Sequence, residues 1–260
     1  KDVKQLAELV KIILAHQPES FESFDDHTLK LGMQYLFLRF AWQFLPELGM
    51  VLTGGLPKLV LLAEFTAASQ AEAQAKAERA QQALTKFNLR TRLTQSARDV
   101  QKYWTVRRES FNLLRTKIKG KRTAPFIDDL VVRPEQLPEF LPKLEAILVQ
   151  YDITYTVAGH VGDGNFHIIP LLDLSRPEAP RLIRELTDKV YQLIFQFHGS
   201  MTAEHNDGLI RSPYLPQMFG EPMYGLFKAV KEILDPKNIF NPGKKVGASI
   251  EASMKYLRRN

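Results

Sequence analysis

The groups best able to do chemistry in this chain sit in two short segments, Gly159-His160-Val161-Gly162-Asp163-Gly164-Asn165-Phe166-His167 and Thr202-Ala203-Glu204-His205. If Asp163 and Gly164 form the centre of a two-residue turn, Gly162 faces Asn165, Val161 faces Phe166 and His160 faces His167. Directly opposed side chains on such a ribbon have Cβ atoms about 4.5–5.5 Å apart, which lets two imidazoles converge on one metal ion. Glu204, at the end of an expected strand and followed by the flexible Asn206-Asp207-Gly208, is the candidate third ligand. Side chains alternate along a strand, so His205 points away from Glu204 unless the strand ends there, in which case it reaches toward a substrate. Two neutral imidazoles and one carboxylate leave coordination positions open, as catalytic metal sites do. A 2-hydroxy acid could chelate such an ion through its carboxylate and hydroxyl. The plainer alternative is a pair of histidines hydrogen-bonded near a turn.

Elsewhere the chemistry is thinner. Arg107 and Arg108 follow Trp104 on an expected helix, and at about 100° per residue they cannot both aim at one pocket. One of them could clamp a carboxylate bidentately; the alternative is a solvated helix face. His16, His27 and His198 have no such neighbours and read as surface or packing residues. Asp235-Pro236-Lys237-Asn238-Ile239-Phe240-Asn241-Pro242-Gly243 is a run of turn formers, either a fixed functional loop or a helix stop and tail.

The elements that must position these residues read as an α+β fold. Residues 1–58 read as two helices, one around Val3 to Ala15 and one from about His27 to Phe44, closed by a Gly54-Gly55 break: a helical appendage or interface segment. Helices are expected over Ala71–Phe87, Ala97–Ile118, from Pro134 onward, over Pro177–Phe197 and over Glu221–Leu234. Strands are expected at Leu59–Phe65, Leu89–Thr94, Phe126–Val132, Ile153–His160, Asn165–Leu171 and Gly199–His205. Strands separated by helices, with one tight hairpin, imply a mixed or antiparallel sheet with helices on one face and ferredoxin-like elements. The expected division is 1–58 for the helical segment and 59–260 for a substrate and metal domain.

Composition narrows the function classes. The 45% hydrophobic and 25% charged fractions are those of a globular protein able to bury a core. With no cysteine, disulfides, thiolate zinc sites, iron–sulfur ligation and a cysteine nucleophile are excluded, so any metal must use His, Asp or Glu. The net charge of +6 suits anionic substrates, a membrane surface or an acidic partner. Nucleic acid is not expected, because the basic residues are scattered without interleaved aromatics. No signal peptide opens the chain, which starts at Lys1 without an initiator Met and so reads as a fragment, expected in the cytoplasm. Its most apolar stretch, Leu31 to Leu52, is broken by Gln34, Arg39, Gln43, Pro46 and Glu47, which argues against a membrane span. Phe37, Phe40, Trp42 and Phe44 would suit peripheral contact at the inner face of the membrane.

Taken together the segments resemble the C-terminal domain of FAD-linked oxidases of the vanillyl-alcohol-oxidase type, which include D-lactate, glycolate and D-2-hydroxyglutarate dehydrogenases. The resemblance runs from about Leu59 to Val246. Its anchors, in order, are Trp104-Thr105-Val106-Arg107, Ile127-Asp128-Asp129, the segment Gly159 to His167, Ala203-Glu204-His205, and Asp235 to Gly243. It implies a divalent ion, Zn, Mn or Fe, on His160, His167 and Glu204, with His205 as the base. It also implies Arg107 on the substrate carboxylate and Asn241 near the flavin. FAD itself would be held mainly by a glycine-rich domain absent from this chain, supplied in cis or in trans, with a quinone or redox protein accepting the electrons. Two departures stand out. Ala203-Glu204-His205-Asn206 replaces the family's Gly-Glu-His-Gly, and Phe126 occupies the place of a lysine that would make a second carboxylate contact, which argues against a dicarboxylate substrate. A metal-dependent hydrolase using the same residues and a non-catalytic assembly domain are the rival readings.

Overall fold

A computed structural model describes residues 5–30, 49, 52, 55–87, 89–94, 96–117 and 120–257. Helix α1 (Leu6–Ala15) buries Leu6, Leu9, Val10 and Ile13, the i, i+3, i+4, i+7 stripe of an amphipathic helix. Between it and the expected second helix lies strand β1 (Ser20–Asp25), which the sequence reading leaves out; that helix, expected from about His27, is helical over 26–30, and its continuation to Phe44 lies outside the described residues. Asp25 ends the strand by accepting the Thr28 N–H at 2.8 Å and that of Val157 at 2.9 Å. Phe37, Phe40, Trp42 and Phe44 lie outside the described residues, and among those described no helix is long and apolar enough to cross a membrane.

Strand β2 (Leu59–Glu64) leads to α2 (Gln70–Ala83), whose N-cap Ser69 accepts the Glu72 N–H, and then to α3 (Ala97–Lys117). Two-residue strands β3 (Arg122–Thr123) and β4 (Leu130–Val131) precede α4 (Leu137–Leu148), which Pro134 opens through a 3₁₀ turn. Strands β5 (Thr154–Gly159) and β6 (Asn165–Leu172) form the central hairpin, followed by α5 (Ala179–Gln196) and the short α6 (Gly208–Arg211). Helix α7 (Leu215–Leu234) is broken at Gly220, where φ is 78°, so its regular part begins at Glu221 as its sequence suggests; α8 (Ile250–Lys255) ends the described chain.

The six strands make one antiparallel sheet in the order β2-β1-β5-β6-β3, with β4 also on β6. Strand β1 pairs with both β2 and β5, so part of residues 1–58 lies inside the sheet. Phe21, Phe166 and Ile168 join α1, α4 and α5 in the main core, the expected helix-covered face. On the opposite face Phe24 and Ala158 meet Val106 of α3, with Val60 and Leu62 beside them. The strand period of two puts Glu22, Ala158 and His167 on that second face.

Two expected strands do not form. Residues 89–94 are irregular, tied down by side chains: Gln81 donates to Thr91, and Arg92 to Asp99 and Tyr103. In Gly199–His205 only Ser200 makes a bridge, to Val131, before the chain turns. Of Phe126–Val132, only Leu130 and Val131 pair.

Candidate active site

The histidine hairpin is longer than a two-residue turn. Ala158, not His160, faces His167, and a 3₁₀ turn over Val161–Asp163 carries the chain round. His160 therefore sits two residues past the pair, on the same face, and its ring centroid is 5.5 Å from that of His167. Gly164 makes this loop feasible: its φ is +71°, and a Cβ there would lie 1.9 Å from the Val132 carbonyl oxygen. That approach lets Val132 N–H donate to the Gly164 carbonyl at 3.1 Å, docking the hairpin on the end of β4.

Strand β4 is short but central, pairing with Phe166 and Asn165 on one side and Ser200 on the other. It sets Asp128 and Asp129 between the hairpin and the 202–205 loop. Asp129, fully buried with φ of +66°, accepts Thr202 Oγ1–H and the backbone N–H groups of Ala203, Glu204 and His205. Burial raises the Asp129 pKa, but the His205, Ala203 and Glu204 N–H bonds outweigh it and hold the carboxyl below the usual aspartate range. Its oxygens are thus spent on building the loop, although they lie near His167, Glu204 and His205. Asn206, where the resemblance expects glycine, has a φ of +64°, a left-handed conformation that asparagine tolerates better than most residues.

The loop delivers Glu204 and His205 to the hairpin. The Nε2 atoms of His167, His160 and His205 lie 3.1, 3.3 and 3.5 Å from the single oxygen Glu204 Oε1. Each opposite ring nitrogen is held by a buried carboxylate. His160 Nδ1 meets Glu22 Oε1 at 2.6 Å, His167 Nδ1 meets Asp128 Oδ1 at 3.1 Å, and His205 Nδ1 meets Asp128 Oδ2 at 3.2 Å. A carboxylate only accepts, so each of these contacts calls for a hydrogen on Nδ1, and with the hydrogens so placed each Nε2 of a neutral ring keeps its lone pair. Three nitrogen lone pairs then face a carboxylate oxygen with no hydrogen among them. Protonation of the rings or a bound cation resolves this. The donor set fits a divalent ion: two ligand atoms about 2.1 Å from a tetrahedral ion stand about 3.4 Å apart, and carboxylate-held imidazoles are the usual metal ligands.

Arg107 reaches the same cluster from α3. Its Nε donates to Glu22 Oε2 at 3.2 Å, the other oxygen of the carboxylate that holds His160. Asn241 is not brought into the histidine cluster; it lies in the tail with φ of +46°, its carbonyl accepting the Lys244 N–H. The tail is nonetheless tied to the far side of the site, since Lys245 pairs with Asp207 at 2.8 Å and its N–H reaches Ser212.

Sequence reasoning missed Glu22, Asp128 as a histidine partner, and Arg211. Buried and only 6% exposed, Arg211 donates to the carbonyls of Asp128 and Asn206, each at 2.8 Å. The one signal for Glu22 was an acid set among Phe21, Ser23 and Phe24 in a segment apolar enough to be buried, where acids are paired.

The fold is shared with 4-ethylphenol oxidase from Gulosibacter chungangensis, which superposes with a TM-score of 0.63 at 15% identity, over 93% of this chain and 51% of that one. The chain belongs to the family of FAD linked oxidases, C-terminal domain, whose profile it matches over residues 1–245, including the stretch before Leu59. It is 32% identical over 232 residues to D-2-hydroxyglutarate dehydrogenase of Pseudomonas putida, covering 89% of this chain and 23% of that protein. It is 28% identical over 118 residues to glycolate oxidase subunit GlcD of Bacillus subtilis, covering 45% of this chain and 25% of that protein. The chain thus spans about a quarter of the length of these curated relatives.

Proposed function

We propose that this chain is the substrate-side, metal-carrying part of a flavin-dependent dehydrogenase that oxidises a 2-hydroxy acid, of the D-lactate or glycolate type, to the 2-oxo acid. The observation that carries this reading is the meeting of three carboxylate-held imidazoles around Glu204 on the face of a flavin-oxidase sheet. FAD, when bound, would supply the two-electron oxidant for the substrate's Cα–H, and a divalent ion, Zn, Mn or Fe, would supply Lewis acidity toward the substrate hydroxyl. His160, His167 and Glu204 would hold the ion. His205 Nε2 accepts the hydroxyl proton, its ring kept in the right tautomer by Asp128. Arg107 orients the substrate carboxylate, and Asn241 lies toward the flavin.

The flavin-holding domain belongs to the part of the relatives this chain does not span, and a surface suited to it is at hand. Met223, Leu226, Val230, Ile233 and Leu234 make an exposed apolar stripe along α7, continued by Ile239 and Phe240 of the tail. Electrons would then leave the flavin for a quinone or a redox protein.

The test is metal content by plasma mass spectrometry, wild type against a His160→Ala, His167→Ala double variant. About one equivalent, lost in the variant, supports the reading. Equal content in both, or ester or phosphate hydrolysis without flavin, overturns it.

A further inference from the structure

Asp128 touches two histidines that the proposed reaction uses differently, and we infer that it is the positioning residue that gives both their roles. The inference rests on the reading above, in which His167 ligates the ion and His205 takes the proton. Asp128 is 6% exposed and shares its carboxylate, one oxygen per ring, between His167 and His205. Those rings are stacked, with centroids 4.9 Å apart and planes 17° apart, so both Nε2 atoms emerge on the Glu204 side. The Asp128 backbone is itself fixed, because its carbonyl accepts from buried Arg211, which also grips the carbonyl of Asn206 next to His205. One guanidinium therefore ties the backbone that carries the carboxylate to the backbone beside His205.

The chemistry follows from donor counting. A carboxylate accepts twice and donates never, so it places a hydrogen on both Nδ1 atoms and leaves both Nε2 atoms with lone pairs, one for an ion and one for a proton. An amide of the same shape accepts with one atom and donates with the other. Asp128→Asn therefore forces one imidazole into the other tautomer, whose Nε2–H can neither ligate nor accept a proton. Volume and packing are nearly unchanged.

The experiment has two parts. Histidine-selective ¹⁵N labelling of the wild type, followed by long-range ¹H–¹⁵N correlation above neutral pH, should show His167 and His205 both protonated at Nδ1 when neutral. In Asp128→Asn, metal affinity by chelator competition should fall roughly 10–100-fold, or kcat of the flavin-loaded protein should fall about 100-fold or more at little-changed KM. A wild type with either ring protonated at Nε2 overturns the inference without need of a variant. So does Asp128→Asn with affinity and kcat within about twofold of a metal-holding wild type, and in that case the reading of the site stands. A wild type that holds no metal overturns the reading, and the inference with it.

Discussion

Glu22 is 5% exposed, and both its oxygens are engaged, one by His160 and the other by Arg107. A buried carboxylate held between two such partners links the residue proposed to hold the ion to the residue proposed to hold the substrate. Glu22→Gln replaces one oxygen with a donor and removes the charge facing Arg107. It should lower metal affinity roughly 10–100-fold and raise KM for the 2-hydroxy acid, read by chelator competition and steady-state kinetics. His160 and His167 were legible as neighbours because a tight turn separates them, although the register differs from the expected one, and Glu204, a candidate by residue type, was assigned as third ligand through the family resemblance. Their partners were not, because Glu22 lies 138 residues from His160 and Asp128 lies 39 from His167, separations that only the sheet closes.

At the scale of elements, the strand lost at Gly199–His205 and the site gained there have one cause. The N–H groups of Ala203, Glu204 and His205, which a ladder would use, go to Asp129 instead. Alternation of apolar and polar residues cannot reveal that, because the competing acceptor is 74–76 residues upstream. Helices fared better, since the prolines near the starts of α5 and of the regular part of α7, and their apolar stripes, are local signals. The tail after α7 repeats the device of a carboxylate organising a turn: Asp235 pairs with Lys231 and accepts the N–H groups of Ile239 and Phe240. The Lys231 bond outweighs the opposing effect of burial, and with those N–H groups holds the Asp235 carboxyl below the usual aspartate range. A depressed folded pKa means a contribution present above the unfolded value and lost as pH falls through the folded one. The Ile239 and Phe240 amide resonances should therefore titrate together below the ordinary aspartate range. In Asp235→Asn that titration should vanish, with the turn loosened at neutral pH.

At the scale of the whole molecule, one sheet face is packed by α1, α4 and α5, while the other carries α3 and the histidine cluster. The α7 stripe is a third surface, and its apolar residues follow helical spacing, as an interface helix would. Full burial of such a side chain is worth about 1.5–3 kcal/mol. Leu226→Asp with Val230→Asp should thus weaken docking of the flavin-binding domain by roughly two orders of magnitude or more, measured by sedimentation and by flavin retained on purification. Metal content should not change, because the stripe and the histidine cluster share no residue. The central place of β1 also bears on how the molecule comes into being. Glu22 leaves the ribosome 138 residues ahead of His160, on the order of ten seconds at ordinary elongation rates. Until Arg107 emerges, 85 residues after Glu22, a nascent chain presents a short apolar segment with an unpaired acid and only β2 to pair with the strand, and the binding centre cannot close until the hairpin and the Glu204 loop beyond it have been made.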